Sequence, residues 1–213
     1  MDLRARWKQL WTEVAAANSS SVDLAFARIL TKYNEPHRAY HTLKHIEDCL
    51  TLFDKFKHLA ADTQVVEAAI WWQDLIYDTK DTQTNESRSA SVAEVDMNLI
   101  GCSSAFQRHV VDSILATKHD HEVATDNQRL LLDIDLHTLG VSTQKYKQYV
   151  TAIRKEYDWV PWDEYAQGRV KVLQGFLSRE NIFQHPALRK KYEGQARFNI
   201  RREIRFLQRE KAP

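Results

Sequence analysis

The sequence predicts an all-α chain, and three observations predict it. Glycine and proline are scarce, five and four in 213 residues, too few to punctuate a β-rich chain with turns. Apolar residues recur at three- and four-residue intervals through most of the chain. Runs that alternate apolar and polar between turn residues are missing. With 43% hydrophobic residues, a chain of this length can bury a substantial core as one unit. Residues 1–213 are therefore read as a single bundle of about eight to ten helices.

The elements follow in order. Leu3 to Ala17 reads as an amphipathic helix with Leu3, Trp7, Leu10, Trp11 and Val14 on its apolar stripe. Asn18 to Ser21 reads as a loop that caps a second helix from Val22 to Tyr33. Pro36 turns the chain, and a third helix opens at His41 and runs to about Lys57. Thr63 to Asp78 reads as one buried helix, almost continuously apolar and without glycine or proline. A polar loop leads to a helix capped by Thr84 or Asn85, and Gly101 to Ser104 separates it from the helix Ala105 to Lys118. Asn127 to Leu139 forms the next helix, with Gly140 as its C-cap. Helices at Thr143 to Tyr157, Trp162 to Ser178 and Pro186 to Glu210 complete the chain.

The central apolar run carries an acid, Asp74, on a face shared with Ile70, Trp71, Tyr77 and Asp78. Burying a carboxylate costs several kcal/mol unless a cation or strong donors replace its water. Asp135 is a second acid on an apolar face, with Leu131, Leu132, Leu136 and Leu139. Asp133 points elsewhere and reads as solvated or hydrogen-bonded. His41 and His45 stand four apart, on one face of a helix, either as ligand and proton donor or as surface and hydrogen-bonded histidines. His119 and His121 end a helix and suit either a ligand contact or a solvated terminus. Arg197 lies on a basic terminal helix, where such a face is more often solvated or salt-bridged than used to hold an anionic substrate.

Charge and composition exclude several classes. A net charge of +1 gives no global reason to expect nucleic acid or membrane as a partner. No run approaches the roughly 20 apolar residues of a membrane span. The amino terminus lacks the apolar core of a signal peptide, and two cysteines, Cys49 and Cys102, make no disulfide framework. The expectation is a soluble, cytoplasmic protein.

Two buried acids and a histidine pair suggest a metal site between the helices of a bundle. The order Tyr40-His41-x-x-x-His45, Gln73-Asp74 and Asp135 resembles the HD superfamily of metal-dependent phosphohydrolases, most closely its small bacterial members. The resemblance extends through Asn85-Glu-Ser-Arg-Ser-Ala90, Leu132-Asp-Ile-Asp-Leu136, Ile153-Arg-Lys-Glu-Tyr157 and Ala196-Arg-Phe-Asn199. Tyr40-His41 and Ile114-Leu-Ala-Thr117 are more distantly similar to cyclic-nucleotide phosphodiesterases. The resemblance implies a divalent cation (Mg, Mn, Fe or Zn) on His45, Asp74 and Asp135, with His41 protonating a leaving oxygen. It implies a small phosphoester, possibly a nucleotide, as substrate, and weaker roles for Asp78, Glu86, Lys118, His119 and Arg197 around it.

One position departs from the family pattern. Gln73 stands where the family carries the histidine of its namesake His-Asp pair. An amide oxygen suits hard ions such as Mg²⁺ and replaces imidazole poorly toward zinc or iron. The alternatives are a hydrolase, a binding protein that retains the pocket without turnover, and a helical adaptor using its basic last helix.

Overall fold

The computed structural model describes residues 1–14, 19–118 and 123–209. Among these, ten α-helices and two short 3-10 segments account for the regular structure, and there is no strand. The helices are α1 (Leu3–Val14), α2 (Ser19–Tyr33), α3 (Leu43–Phe56), α4 (Thr63–Trp72) and α5 (Asn85–Ile100). They continue as α6 (Ser104–Ala116), α7 (Asp126–Asp135), α8 (Thr143–Glu156), α9 (Trp162–Ser178) and α10 (Pro186–Arg209). No helix is long and apolar enough to cross a membrane among the described residues.

The chain divides into two compact units, Met1–Ile134 and Asp135–Pro213. In the first, α4 packs on α1, α3, α5 and α6, and α2 packs on α1 and α5. Seven of the ten residues of α4 are buried. Trp7 is the hub of its aromatic core, with the Trp11, Trp71 and Trp72 rings edge-on at 5.1, 5.4 and 5.3 Å. Edge-to-face packing aligns positive ring edges with negative faces. The indole N–H of Trp7 donates to the Val22 carbonyl at 2.9 Å, which ties α1 to α2 without an unpaired buried donor.

The second unit packs α10 against α9 and against the 3-10 turn Leu136–Gly140, which also meets α8. Arg169 is the polar centre of this unit. It donates from Nε to Glu203 at 2.8 Å and from Nη2 to the Tyr149 hydroxyl at 3.1 Å, while Tyr146 donates to the same glutamate. Burial and the Glu203 charge hold Tyr146 protonated, far above the ordinary phenol range. Asn199 donates its amide to the carbonyls of Leu139 and Val141, both at 2.9 Å.

Three local expectations are corrected. Helix α2 starts at Ser19, so Ser19 to Ser21 form its first turn rather than a loop. The run ending at Gly140 is helical only to Asp135 and tightens into the 3-10 turn. Gly140 is therefore no C-cap. A Cβ there would meet Tyr192 Cβ at 2.6 Å and its carbonyl oxygen at 2.7 Å, so close approach of α10 requires the glycine.

Candidate metal centre

Helix α3 begins at Leu43, two residues later than the sequence suggests. Thr42 is its N-cap, accepting from the Lys44 amide at 3.3 Å, and His41 lies just outside the helix. The two histidines still meet, with ring centroids 5.8 Å apart. His41 is held there by stacking on Tyr77 at 4.0 Å and by the edge of Tyr40 at 4.9 Å. His45 is buried in the first turn of α3, 4.8 Å from the Tyr40 ring and with Cys49 Sγ 3.7 Å from its Nε2.

Asp74 is not within a helix. Helix α4 stops at Trp72, and Gln73 and Asp74 form a turn. The Gln73 amide still donates to Ala69, but the Leu75 amide turns back to Trp72 at 3.0 Å. Beyond that point side chains replace the helical ladder. The Asp74 amide donates to the Tyr33 hydroxyl at 3.2 Å. Arg38 donates to the carbonyls of Asp74 and Leu75, both at 2.7 Å. Ser89 accepts from the Ile76 amide at 3.0 Å. Every freed backbone group named here finds a tertiary partner, as buried backbone requires.

Arg38 also donates to the His41 carbonyl at 3.1 Å and to Glu35 at 3.2 Å, and its guanidinium lies over the rings of Tyr33 and Tyr77 at 5.0 and 5.6 Å. One buried cation thus braces the loop that carries His41 and the turn that carries Asp74. Sequence reasoning missed Arg38 and Tyr33, and gave Tyr77 only as a neighbour of Asp74. The available signal was an arginine, Arg38, three residues before the first histidine, and it carries no chemistry by itself. Burial and the negative charge of Asp74 raise the Tyr33 phenol well above its usual range, so it stays protonated.

Asp135 is the terminal residue of α7. One donor atom each from His45, Asp74 and Asp135 lies within 4.8 Å of the others. Donors about 2.0–2.6 Å from a shared ion stand at most about 5 Å apart, so the spacing suits a metal. Asp74 Oδ2 is 3.3 Å from His45 Nε2, yet it is buried without an aligned hydrogen bond. A buried carboxylate oxygen with no donor is costly, and a cation would offset that cost. One nitrogen and two carboxylates make a donor set that can hold a metal ion.

Gln73 is buried beside this group, its amide nitrogen 3.4 Å from His45 Nε2. Turning the amide over about its last bond would place its oxygen there instead. The other candidates are not among these three ligand positions. Asp78 accepts from the Lys80 amide at 2.9 Å, which holds its carboxyl below the usual range, and its own backbone is clasped by Asn85. Glu86 is half-buried in the first turn of α5. Lys118 is exposed just after α6, and His119 and His121 lie outside the described residues. Asp133, read as solvated or hydrogen-bonded, is fully buried, which excludes the first of the two. Arg197, in the second unit, pairs with Glu193 at 2.7 Å and donates to the carbonyls of Leu177, Arg179 and Glu180 at 2.8–3.1 Å. Its guanidinium ties α10 to the end of α9.

No family model, curated protein or solved structure matches this chain.

Proposed function

We propose that the chain is a metal-dependent phosphohydrolase of the HD type, acting in the cytoplasm on a small phosphoester of nucleotide-like class. The convergence of His45, Asp74 and Asp135 from distant parts of the sequence carries this reading. A divalent ion bound there would polarise the phosphoryl group and lower the pKa of water. His45 and the two aspartates supply its ligands. His41, half-exposed and packed against Tyr77 and Tyr40, would give a proton to a departing alkoxide. Tyr33 and Arg38 fix the Asp74 backbone, so the carboxylate is presented without reorganisation. Gln73 leaves the ligand set with one imidazole, which favours Mg²⁺ or Mn²⁺ over Zn²⁺ or Fe²⁺.

The test is phosphate release from a panel of nucleotides and cyclic nucleotides, by metal-stripped protein supplied with Mn²⁺ or Mg²⁺. Metal-stimulated release that falls at least about 100-fold in Asp74→Ala is expected. A folded protein that takes up no divalent ion by calorimetry sinks the proposal. Gln73 supports a second reading, a protein that binds the ligand without turnover. Ligand-induced thermal stabilisation with no phosphate release would select it.

A further inference from the structure

The near-neutral whole-chain charge conceals a segregation. Residues 135–213 carry 16 Lys and Arg against 9 Asp and Glu, whereas residues 1–134 carry 14 against 20. The second unit thus holds a net +7, and helix α10 concentrates it. Its arginines fall into two sets. Arg189 and Arg197 are committed to the backbone carbonyls of Phe183, Gln184, Leu177, Arg179 and Glu180. Arg201, Arg202, Arg205 and Arg209 are exposed and make no ion pair among the described residues.

The acids of α10 do not neutralise the outer set. Glu193 is taken by Arg197 and the amides of Ile182 and Phe183, and Glu203 is buried against Arg169 and Tyr146. Asp163 and Glu164, exposed in the first turn of α9, pair with none of these arginines.

At about 100° per residue, Arg202, Arg205 and Arg209 project within about 40° of Phe198. Phe198 and Phe206 are each 50% exposed, an unusual state for phenylalanine. The outer face of α10 is therefore a row of guanidiniums without ion pairs among the described residues, flanked by the half-exposed rings of Phe198 and of Phe206, which meets Trp162 edge-on at 6.4 Å. We infer that this face binds single-stranded nucleic acid. A continuous row of cations matches a polyanionic backbone, and exposed rings offer stacking surfaces that unpaired bases fill without sequence preference. An anionic membrane fits less well. Interfacial helices insert their apolar face, and that face of α10 (Ala196, Ile200, Ile204, Leu207) is already buried in the protein. An acidic peptide would use the charges and leave the rings unexplained.

Fluorescence anisotropy of a labelled 20-nucleotide single strand, titrated with the full chain, tests this. Four phosphate contacts predict a log–log salt slope of about −3, or about 50-fold weaker binding at 200 mM than at 50 mM salt. Arg202→Glu with Arg205→Glu should weaken binding at least about 10-fold at 50 mM salt and roughly halve the slope. Phe198→Ala should weaken it about five-fold or more with the slope unchanged. Asp74→Ala should bind as the parent does, which separates this site from the metal centre. These residues are exposed, so the variants should melt with the parent. Absence of binding at 50 mM salt overturns the inference. So does an unchanged affinity in the double variant. Equal competition by polyglutamate, or preferential capture by phosphatidylserine vesicles, overturns the choice of single strands.

Discussion

Arg38→Met probes the brace beneath the candidate metal site. The substitution keeps the aliphatic stem and removes a guanidinium whose side chain is fully buried. It leaves the carbonyls of Asp74, Leu75 and His41 without their donor. Each orphaned buried acceptor costs about 1–3 kcal/mol, and water entering beside the partly exposed Asp74 recovers some of that. Glu35 keeps Lys32 at 2.8 Å, so its carboxylate adds little to the loss. The net expectation is about 3–5 kcal/mol, the range for a broken buried charged network. In a chain of this size that lowers the melting temperature by about 10 °C. Because Arg38 holds the backbone of both His41 and Asp74, Mn²⁺ affinity measured by calorimetry on the folded variant should fall about 10- to 100-fold. Arg38→Lys should recover part of the stability and little of the affinity, since one ammonium cannot span three carbonyls. A variant that melts within 2 °C of the parent (against a shift of about 10 °C) refutes the brace. Lower stability with unchanged Mn²⁺ affinity refutes its role in positioning the site.

Three further outcomes are expected. Gln73→His should raise Mn²⁺ affinity at least about 10-fold and increase metal-stimulated phosphate release; equal values in both proteins would make Gln73 a competent ligand or a bystander. Gly140→Ala should destabilise the protein to urea by about 1–3 kcal/mol, because its Cβ meets Tyr192 Cβ and carbonyl oxygen at 2.6 and 2.7 Å; a neutral result would mean α10 shifts freely. Burial raises the Asp96 carboxyl above its usual range, against the opposing effects of Arg28 and the Trp72 indole. The ionised form is therefore penalised in the fold at neutral pH, and the penalty is relieved as pH falls through the folded value. Asp96→Asn should exceed the parent in stability at pH 7 by more than it does near pH 4, and a pH-independent difference in urea unfolding would contradict this.

The helices were legible wherever local signals and packing agree. Trp162–Ser178 begins after Pro161 and is recovered to the residue, because proline fixes its start. Ser103 and Gly101 mark the break between α5 and α6, and both do so physically: the serine accepts from the Phe106 amide, and the glycine adopts φ 98°. The serines before α2 carried an ambiguous signal. Serine caps helices well and also tolerates their first turn, and here Ser19 to Ser21 are inside. Gly140 was assigned the common reason for a glycine at a helix end, when the operative one is contact with Tyr192, 52 positions away in sequence. No local pattern encodes such an approach.

The candidate metal site was legible in residue type but not in backbone. Nothing between Ala68 and Asp78 breaks a helix, yet the helix ends at Trp72. Its ending is imposed from outside, by the Tyr33 hydroxyl on the Asp74 amide, Arg38 on two carbonyls and Ser89 on Ile76. Continued helix would keep those groups in its own ladder. The partners that replace it are one neutral phenol, one cation and one hydroxyl, none recognisable as a cap from sequence. Their effect is to seat Asp74 in a turn whose backbone is anchored to the loop of His41 through the same guanidinium. A helical Asp74 would be positioned by its own helix alone. In the observed turn, Asp74 and His41 share one support, so a displacement of either loop is felt by both.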